Sequence, residues 1–347
     1  MTADSDLDLA RRGDEAAFER LAMEHRAELH AYCYQMLGSA ADADDAVQET
    51  LVGAWRGLAG FEGRSSLRTW LYRIATNACL RLAAGRRRRL LSPGYGPSRA
   101  DVHDLGEPVA EPVWLEPYPH EVASDHGDPA ARYEKLENVE LAFVAALQNL
   151  PARQRAVLIL CDVLKFSAAE VAASLRTSVP AVNSALQRAR KGIGDGITAG
   201  GQRDELAALG DRGRAELVAS FVSAWERADV DAMVGLLTQD ATFSMPPLPA
   251  WFDGRSAVLR FMTERMWETP WRLVPIAANG QLAFACYQQR APARGVADGR
   301  QFLLSAINVV TVRDGHISGL TAFLDPGVYP RFALPAVYAG HEFPLRR

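Results

Sequence analysis

Residues 91 to 132 divide this chain, because nothing in them can sustain a regular element. Seven prolines and four glycines fall in 42 positions, 8 acidic side chains outnumber 2 basic ones, and no apolar period runs through them. Proline removes amide donors, and a strongly acidic stretch with little apolar surface cannot offset the entropy of ordering itself, so the composition predicts a linker. Folding must therefore happen on either side of it, and 347 residues leave room for two or three domains.

Ahead of the linker the period is helical. From Arg11 to Leu37 apolar residues recur at Phe18, Leu21, Ala22, Leu29, Tyr32, Cys33, Met36 and Leu37, and Gly38-Ser39 ends the run. A second helix begins near Asp42, with Asp42, Asp44 and Asp45 in the first turn where the dipole favours them, and runs to Gly57. A third starts after Gly63 with Ser65 or Ser66 as N-cap and carries Leu67, Trp70, Leu71, Ile74, Ala75, Ala78 and Leu82 towards the arginine run 86–89. After the linker, residues 133–193 predict four short helices, the first two broken at Pro151 and the last two separated by a three- or four-residue turn, as in a helix-turn-helix unit.

Beyond Gly194 the pattern changes class. Two helical stretches precede a strand at 240–245 and a helix at about 256–267. Asn279-Gly280 and Asp314-Gly315 then each separate two strand-like runs, the strongest short-range hairpin signal there is. The order predicts an α+β domain whose curved sheet wraps around helices.

Charge narrows the function. Residues 1–62 hold 13 acidic and 5 basic side chains, whereas residues 63–90 hold 8 arginines and no acid. A face of one sign beside a face of the other suits nucleic acid on one side and a different partner on the other. The four cysteines and seven histidines are scattered without metal-ligand spacing, so no metal and no cofactor is implied. No run approaches the roughly 18 apolar residues of a membrane span, and the acidic N-terminus is unlike a signal peptide; the expectation is a cytoplasmic protein with no membrane contact.

The block AFERLAMEHRAELHAYCYQMLGSAADADDAVQETLVGAW with GRSSLRTWLYRIATNACL resembles the polymerase-binding and minus-10-recognition domain of the extracytoplasmic-function group of the sigma-70 family. LPARQRAVLILCDVLKFSAAEVAASLRTSVPAVNSALQRAR resembles its minus-35-recognition domain. Residues 211–332 are similar to the SnoaL-like branch of the NTF2-like domains, and VWLEPYP at 113–119 resembles a linker motif of those members that carry such a tail. The resemblance implies two all-α helical domains, 11–90 and the helix-turn-helix 133–195, followed by an α+β NTF2-like cone at 211–332 and a tail at 333–347. It implies a transcription initiation factor rather than an enzyme, with core RNA polymerase and promoter DNA as partners.

The family further implies that Asp44, Asp45, Gln48, Glu49 and Thr50 dock on the coiled-coil clamp of the polymerase's largest subunit. They form one stripe opposite Ala46, Val47 and Leu51, as an acidic docking face should. Opening a promoter requires a base to be held out of the stack, which favours cationic and polar side chains around aromatic ones. Arg64, Ser65, Ser66, Arg68, Arg73, Asn77 and Arg81 are the minus-10 candidates, and Arg86 and Arg87 open an arginine run suited to phosphates. Trp70 falls in the apolar stripe and reads as core.

In the helix-turn-helix, Ser178 and Pro180 open the recognition helix. Ser178, Ala181, Asn183, Ser184 and Gln187 are assigned to the groove, Arg188, Arg190 and Lys191 to the backbone, and Val182, Leu186 and Ala189 to the core. Ala181, Asn183 and Ala185 stand where the family commonly has hydroxylated or basic residues, which implies weaker anchoring or an unusual minus-35 element. In the linker, Trp114 and Tyr118 offer two aromatic anchors for docking. In the cone, Trp225, Phe243, Met245, Trp251, Trp267 and Tyr287 either line a pocket for a small-molecule ligand or fill it as core. Asp325 is the one candidate base, without a histidine partner. The acidic linker itself is expected to lie in the polymerase's positively lined nucleic-acid channel.

Overall fold

The computed structural model describes residues 3–109, 114–119, 139–193, 201–290 and 301–338. They form two compact units, one of residues up to Arg89 together with 123–199, the other of residues 90–122 together with 200–347.

The first unit is helical. α1 (Ala3–Arg11) and α2 (Glu15–Leu37) are separate helices where the periodicity suggested one from Arg11. Gly13 turns the chain at φ 93°, and Asp14 caps α2 by accepting from the Ala17 amide at 2.9 Å. α3 (Ala40–Gly57) is capped by Ser39 and α4 (Leu67–Ala84) by Ser66, each accepting the amide three residues on. These helices bury Leu29, Tyr32, Met36, Val47, Leu71 and Tyr72 between them. α5 (Leu141–Gln148) and α6 (Ala152–Leu158) flank Pro151, and a π turn continues α6 through Ile159–Val163. α7 (Ala168–Ser174) starts at a capping box in which Ser167 and Glu170 satisfy one another's backbone amides. α8 (Val179–Ile193) follows after a short turn.

The second unit is a cone. α9 (Gly201–Glu226) is interrupted at Gly210, whose φ 64° and ψ 175° are not helical, and the segment before the break joins the cone ahead of the domain start at 211 expected from the sequence: Gln202 bonds the Val312 backbone and Leu206 enters the core. α10 (Val230–Leu236) and α11 (Arg255–Glu264) complete the helical layer. The strands are β1 (Leu237–Ser244), β2 (Trp251–Asp253), β3 (Trp271–Ala278), β4 (Gln281–Arg290), β5 (Gln301–Arg313) and β6 (His316–Phe323), in the order β2-β1-β6-β5-β4-β3. The sheet is mixed: β1 joins β6 in parallel, and every other pair is antiparallel. Asn279 (φ 56°) with Gly280 and Asp314 (φ 50°) with Gly315 make the two tight turns. Irregularities in pairing at Cys286/Tyr287 and Thr311/Val312 help bend the sheet around the helices. Phe221 sits 4.9 Å from Phe284 and Phe252 4.4 Å from Phe261, ring centre to ring centre, so aromatic side chains fill the inside.

The linker is ordered over much of its length. Its described part is a strap on the cone. Ser92 Oγ donates to the Leu248 carbonyl, the Arg99 amide to the Trp251 carbonyl, the Trp251 indole to the Gly96 carbonyl, and the Val109 amide to the Pro247 carbonyl. Val102 lies within the cone's own core and Leu115 is buried as fully, each contributing roughly 1.5–3 kcal/mol. Gly106, φ 70°, comes so close that a Cβ there would lie 2.8 Å from the Pro249 ring. Val113, residues 120–132 and the tail beyond 338 lie outside the described residues.

Candidate functional site

The acidic stripe sits on α3. Asp45, Gln48 and Glu49 are exposed, and Asp44 pairs with His30 Nε2 at 3.1 Å. Thr50 is a correction: it is fully buried, and its hydroxyl donates back to the Ala46 carbonyl at 2.6 Å, so it supports the helix and cannot dock. Between α3 and α4 a groove of about 350 Å3 is lined by Glu49, Val52, Gly53, Arg56, Ile74, Asn77 and Arg81. Arg81 Nη2 donates to Glu49 Oε1 at 2.7 Å across it, so candidates for the two partners share one groove.

Along α4, Arg73, Asn77 and Arg81 are exposed, as are Ser65 and Arg64, the latter paired with Glu62 at 2.9 Å. Ser66 is occupied as the cap. Arg68 departs from the expectation of a free strand-contacting side chain. Its Nε donates to Glu28 at 3.0 Å, and its guanidinium lies 5.0 Å from the Tyr72 ring centre and 4.9 Å from that of Phe166. Burial works against the Glu28 charge, but hydrogen bonds from His25 and Arg68 prevail and hold its carboxyl below the usual range. Trp70 is core, its ring 5.1 Å from Phe61. In the arginine run, Arg86 and Arg89 converge on the buried Asp42, the latter at 2.8 Å, which removes Arg86 from simple phosphate duty; Arg87 is exposed.

On α8, Ala181, Asn183, Ser184, Gln187, Arg188 and Lys191 are exposed, and Ser178 caps the helix towards the Ala181 amide. Val182 and Ala189 are buried, whereas Leu186 is only half-buried. Arg190 is a second correction: it makes a two-pronged pair with Asp162 at 2.7 and 2.8 Å, so it ties α8 to the π turn that continues α6.

Within the cone, Trp225, Phe243 and Met245 are buried core, while Trp251 and Trp267 are half-buried. Tyr287 lies apart from that core, its ring 5.6 Å from Tyr338, and burial pushes its hydroxyl up to about 12. Asp325 caps the turn that follows β6, accepting from the Gly327 amide. Trp114 and Tyr118 are both buried, the Trp114 ring 5.2 Å from Tyr95 of the same linker and the Tyr118 backbone bonded to Asn279 of the cone. Among the described residues no cluster of histidine, cysteine, aspartate and glutamate could hold a metal ion, and no helix is long and apolar enough to cross a membrane.

Comparison with known proteins fits this geometry. Residues 21–89 match the model of sigma-70 region 2, residues 140–192 that of sigma-70 region 4, and residues 218–320 that of the SnoaL-like domain. Over 328 residues the chain is 42% identical to the ECF RNA polymerase sigma factor SigG of Mycobacterium tuberculosis, covering 94% of this chain and 85% of that one. The chain belongs to the extracytoplasmic-function sigma factors. SigJ of the same species is 28% identical over 313 residues, covering 87% of this chain and 89% of that one. The crystal structure of Mycobacterium tuberculosis SigJ shares the fold, with a TM-score of 0.58, 24% identity, and 88% of this chain and 95% of that chain covered. This sigma factor is thus a transcription initiation factor that binds core RNA polymerase and promoter DNA, with a SnoaL-like domain fused behind its two DNA-binding regions.

Sequence reasoning missed two residues of region 4. Phe166 and Arg155 both reach region 2 from within the block that resembles the minus-35 domain. The one available signal was an arginine inside the apolar run of α6, where a side chain must find buried acceptors.

Proposed function

We propose that the SnoaL-like cone regulates this sigma factor by holding the linker between its two DNA-binding regions. The observation that supports this is a reciprocal pair of hydrogen bonds: the Tyr118 amide donates to Asn279 Oδ1 at 2.9 Å, and the Asn279 amide donates to the Tyr118 carbonyl at 2.8 Å. With the strap seated, the stretch between Pro119 and Val139 spans at most about 70 Å even fully extended, whereas a released chain from Leu90 to Val139 spans about 170 Å. A covalently linked domain acts at effective concentrations that reach the millimolar range, so a modest contact suffices to set this tether. The linker acids reach the polymerase channel only when the strap leaves the cone.

Within this reading Asp45, Gln48 and Glu49 dock on core polymerase, Arg64, Ser65, Arg73, Asn77, Arg81 and Arg87 contact the minus-10 region, and Asn183 and Gln187 read the minus-35 groove. Run-off transcription by reconstituted holoenzyme tests the regulation. Trp114→Ala and Tyr118→Ala should each change promoter activity severalfold with core affinity unaltered, and truncation after residue 200 should change it in the same direction. Unchanged activity in all three variants removes the regulatory role.

A second reading has an observation of its own. Trp225 Nε1 and Asn308 Oδ1 are buried in the cone without a protein partner, one a donor and one an acceptor. A small polar molecule carrying both functions suits them. Thermal-shift screening against Trp225→Phe with Asn308→Leu tests it, since a true ligand stabilises only the wild type.

A further inference from the structure

We infer that Val179 reads the methyl group of a 5-methylpyrimidine in the minus-35 element, so that this sigma factor distinguishes thymine from uracil, and methylated from unmethylated cytosine, at one base pair.

The first turn of α8 is poor in polar groups. Pro180 has no amide hydrogen, the Ala181 amide is taken by Ser178 Oγ at 3.3 Å, and the Val182 amide by the Ser178 carbonyl at 3.1 Å. Ser178 is thereby held as the cap, and its hydroxyl faces the helix it starts. What the turn presents outward is carbon. Val179, Pro180 and Ala181 follow one another and are all exposed, and Val179 is 39% exposed where a valine is ordinarily covered.

Spacing places this apolar end on the reading face. Val179, Asn183 and Gln187 stand four residues apart, which puts them in one row along a helix, and all three are exposed. Val182 and Ala189 are buried, so they mark the side that faces the domain. Arg176 ahead of the row and Arg188 and Lys191 near its end are exposed as well, cations placed for the phosphates that border a groove. The N-terminal residues of a recognition helix are those that meet base edges, and here the first of them is a branched aliphatic.

The chemistry of the groove then selects the partner. Apart from the thymine C5-methyl, the base-edge groups offered in the major groove are hydrogen-bond donors and acceptors; 5-methylcytosine carries the same methyl at the same ring position. Against valine, an amino or carbonyl edge loses its water and gains nothing, whereas a methyl group gains contact. Valine also has one strongly preferred χ1 rotamer in a helix, so its methyls are set before DNA arrives and little side-chain entropy is lost on binding. Covering one methyl group corresponds to about fourfold in affinity.

The inference rests on α8 as the minus-35 reader, and the test separates the two. Holoenzyme reconstituted from core polymerase and the full chain first selects its preferred minus-35 duplex from a randomised pool. Each thymine of either strand is then replaced singly by uracil, which removes one methyl group and leaves pairing unaltered. One replacement should weaken binding about fourfold, and a cytosine placed at that position should regain about fourfold on 5-methylation. Val179→Ala should bring both contrasts below about 1.5-fold, because the side chain that covers the methyl is gone, and Val179→Ile should keep them. Both variants should fold as the wild type does, since the position is exposed. A preferred duplex without an A·T pair, no sensitive thymine in the wild type, or a contrast that survives Val179→Ala or vanishes only with Ala181→Gly overturns the inference. Asn183→Ala with Gln187→Ala reports on the helix itself: an unchanged sequence preference removes α8 as the reader, whereas a changed preference without a methyl contrast removes Val179 alone.

Discussion

Tyr118 and Asn279 are joined by two hydrogen bonds, one from each backbone amide, and the residue that opens the β3–β4 turn therefore also seats the linker. Asn279 serves both ends because its left-handed backbone, φ 56°, turns its amide and side chain towards the strap. Removing the Tyr118 side chain, 3% exposed, should cost about 3–5 kcal/mol, the range for a buried aromatic truncated to alanine. Urea denaturation of Tyr118→Ala, together with faster proteolytic cleavage inside 90–119, checks it; a loss below 1 kcal/mol with unchanged cleavage would show that the ring seats nothing.

Asp42 stands at the N-terminal turn of α3 between Arg86 and Arg89, and its side chain is 9% exposed. Asp42→Asn leaves two guanidinium groups around a neutral amide, one of them buried. Breaking such a pair from one side costs about 3–5 kcal/mol, so the first unit should melt markedly earlier. Calorimetry of the full chain, which resolves its transitions, gives the comparison.

Acid should loosen the edge of α4. Glu28 has its folded pKa below the ordinary 4.5, so the stability it contributes is complete above that value and is lost as pH falls through the folded one. Glu28→Gln should be less stable than wild type at pH 7 and should flatten the fall below pH 4.5. Equilibrium unfolding followed against pH distinguishes the two profiles.

Two substitutions on α8 should separate reading from anchoring. Asn183→Ala removes a side chain with donor and acceptor capacity, and should relax preference at one minus-35 position by about 1–3 kcal/mol. Arg188→Ala should weaken all sites alike and lower the salt slope by about one. Arg190→Ala should lower it less, because Asp162 already occupies that guanidinium. Fluorescence anisotropy over a salt series measures all three, and equal slopes for Arg188 and Arg190 would contradict the distinction.

Reversing charge on α3 tests the docking stripe. Asp45→Arg with Glu49→Arg should abolish core binding while the circular dichroism spectrum stays that of the wild type, since Asp45 and Glu49 are exposed and the one described ion pair lost is Glu49 with Arg81. Wild-type affinity in size-exclusion or surface-capture assays would sink the assignment.

Local chemistry explains what the sequence made legible. Ser66, Ser167 and Ser178 announce helix starts, and Asn279-Gly280 and Asp314-Gly315 announce turns, because each acts within three residues of itself. The strap was legible only in its aromatic anchors Trp114 and Tyr118, for the converse reason: its order comes from Trp251, Leu248 and Asn279, all more than 150 residues away along the chain. Arg68 was misjudged likewise, since Phe166 lies 98 residues beyond it, and no period in α4 encodes a ring supplied by another region. Thr50 was placed on the docking stripe by the family resemblance together with spacing; it is buried, and its hydroxyl bonds the Ala46 carbonyl.

The strap also orders events in time. It precedes in synthesis the sheet on which it rests, by some 200 residues counted to the end of β6. At roughly 5–20 residues per second, a ribosome takes about 10–40 s to cross that distance. For the last 130 or so of those residues, about 7–26 s, regions 2 and 4 are complete while the strap's seat is not, and Val102, Leu115 and Tyr118 lack the finished surface that covers them. Every newborn molecule therefore begins with its longest tether, and restraint is acquired only when the last hairpin closes. Slow translation of the C-terminal third would prolong that unrestrained youth without any change in sequence.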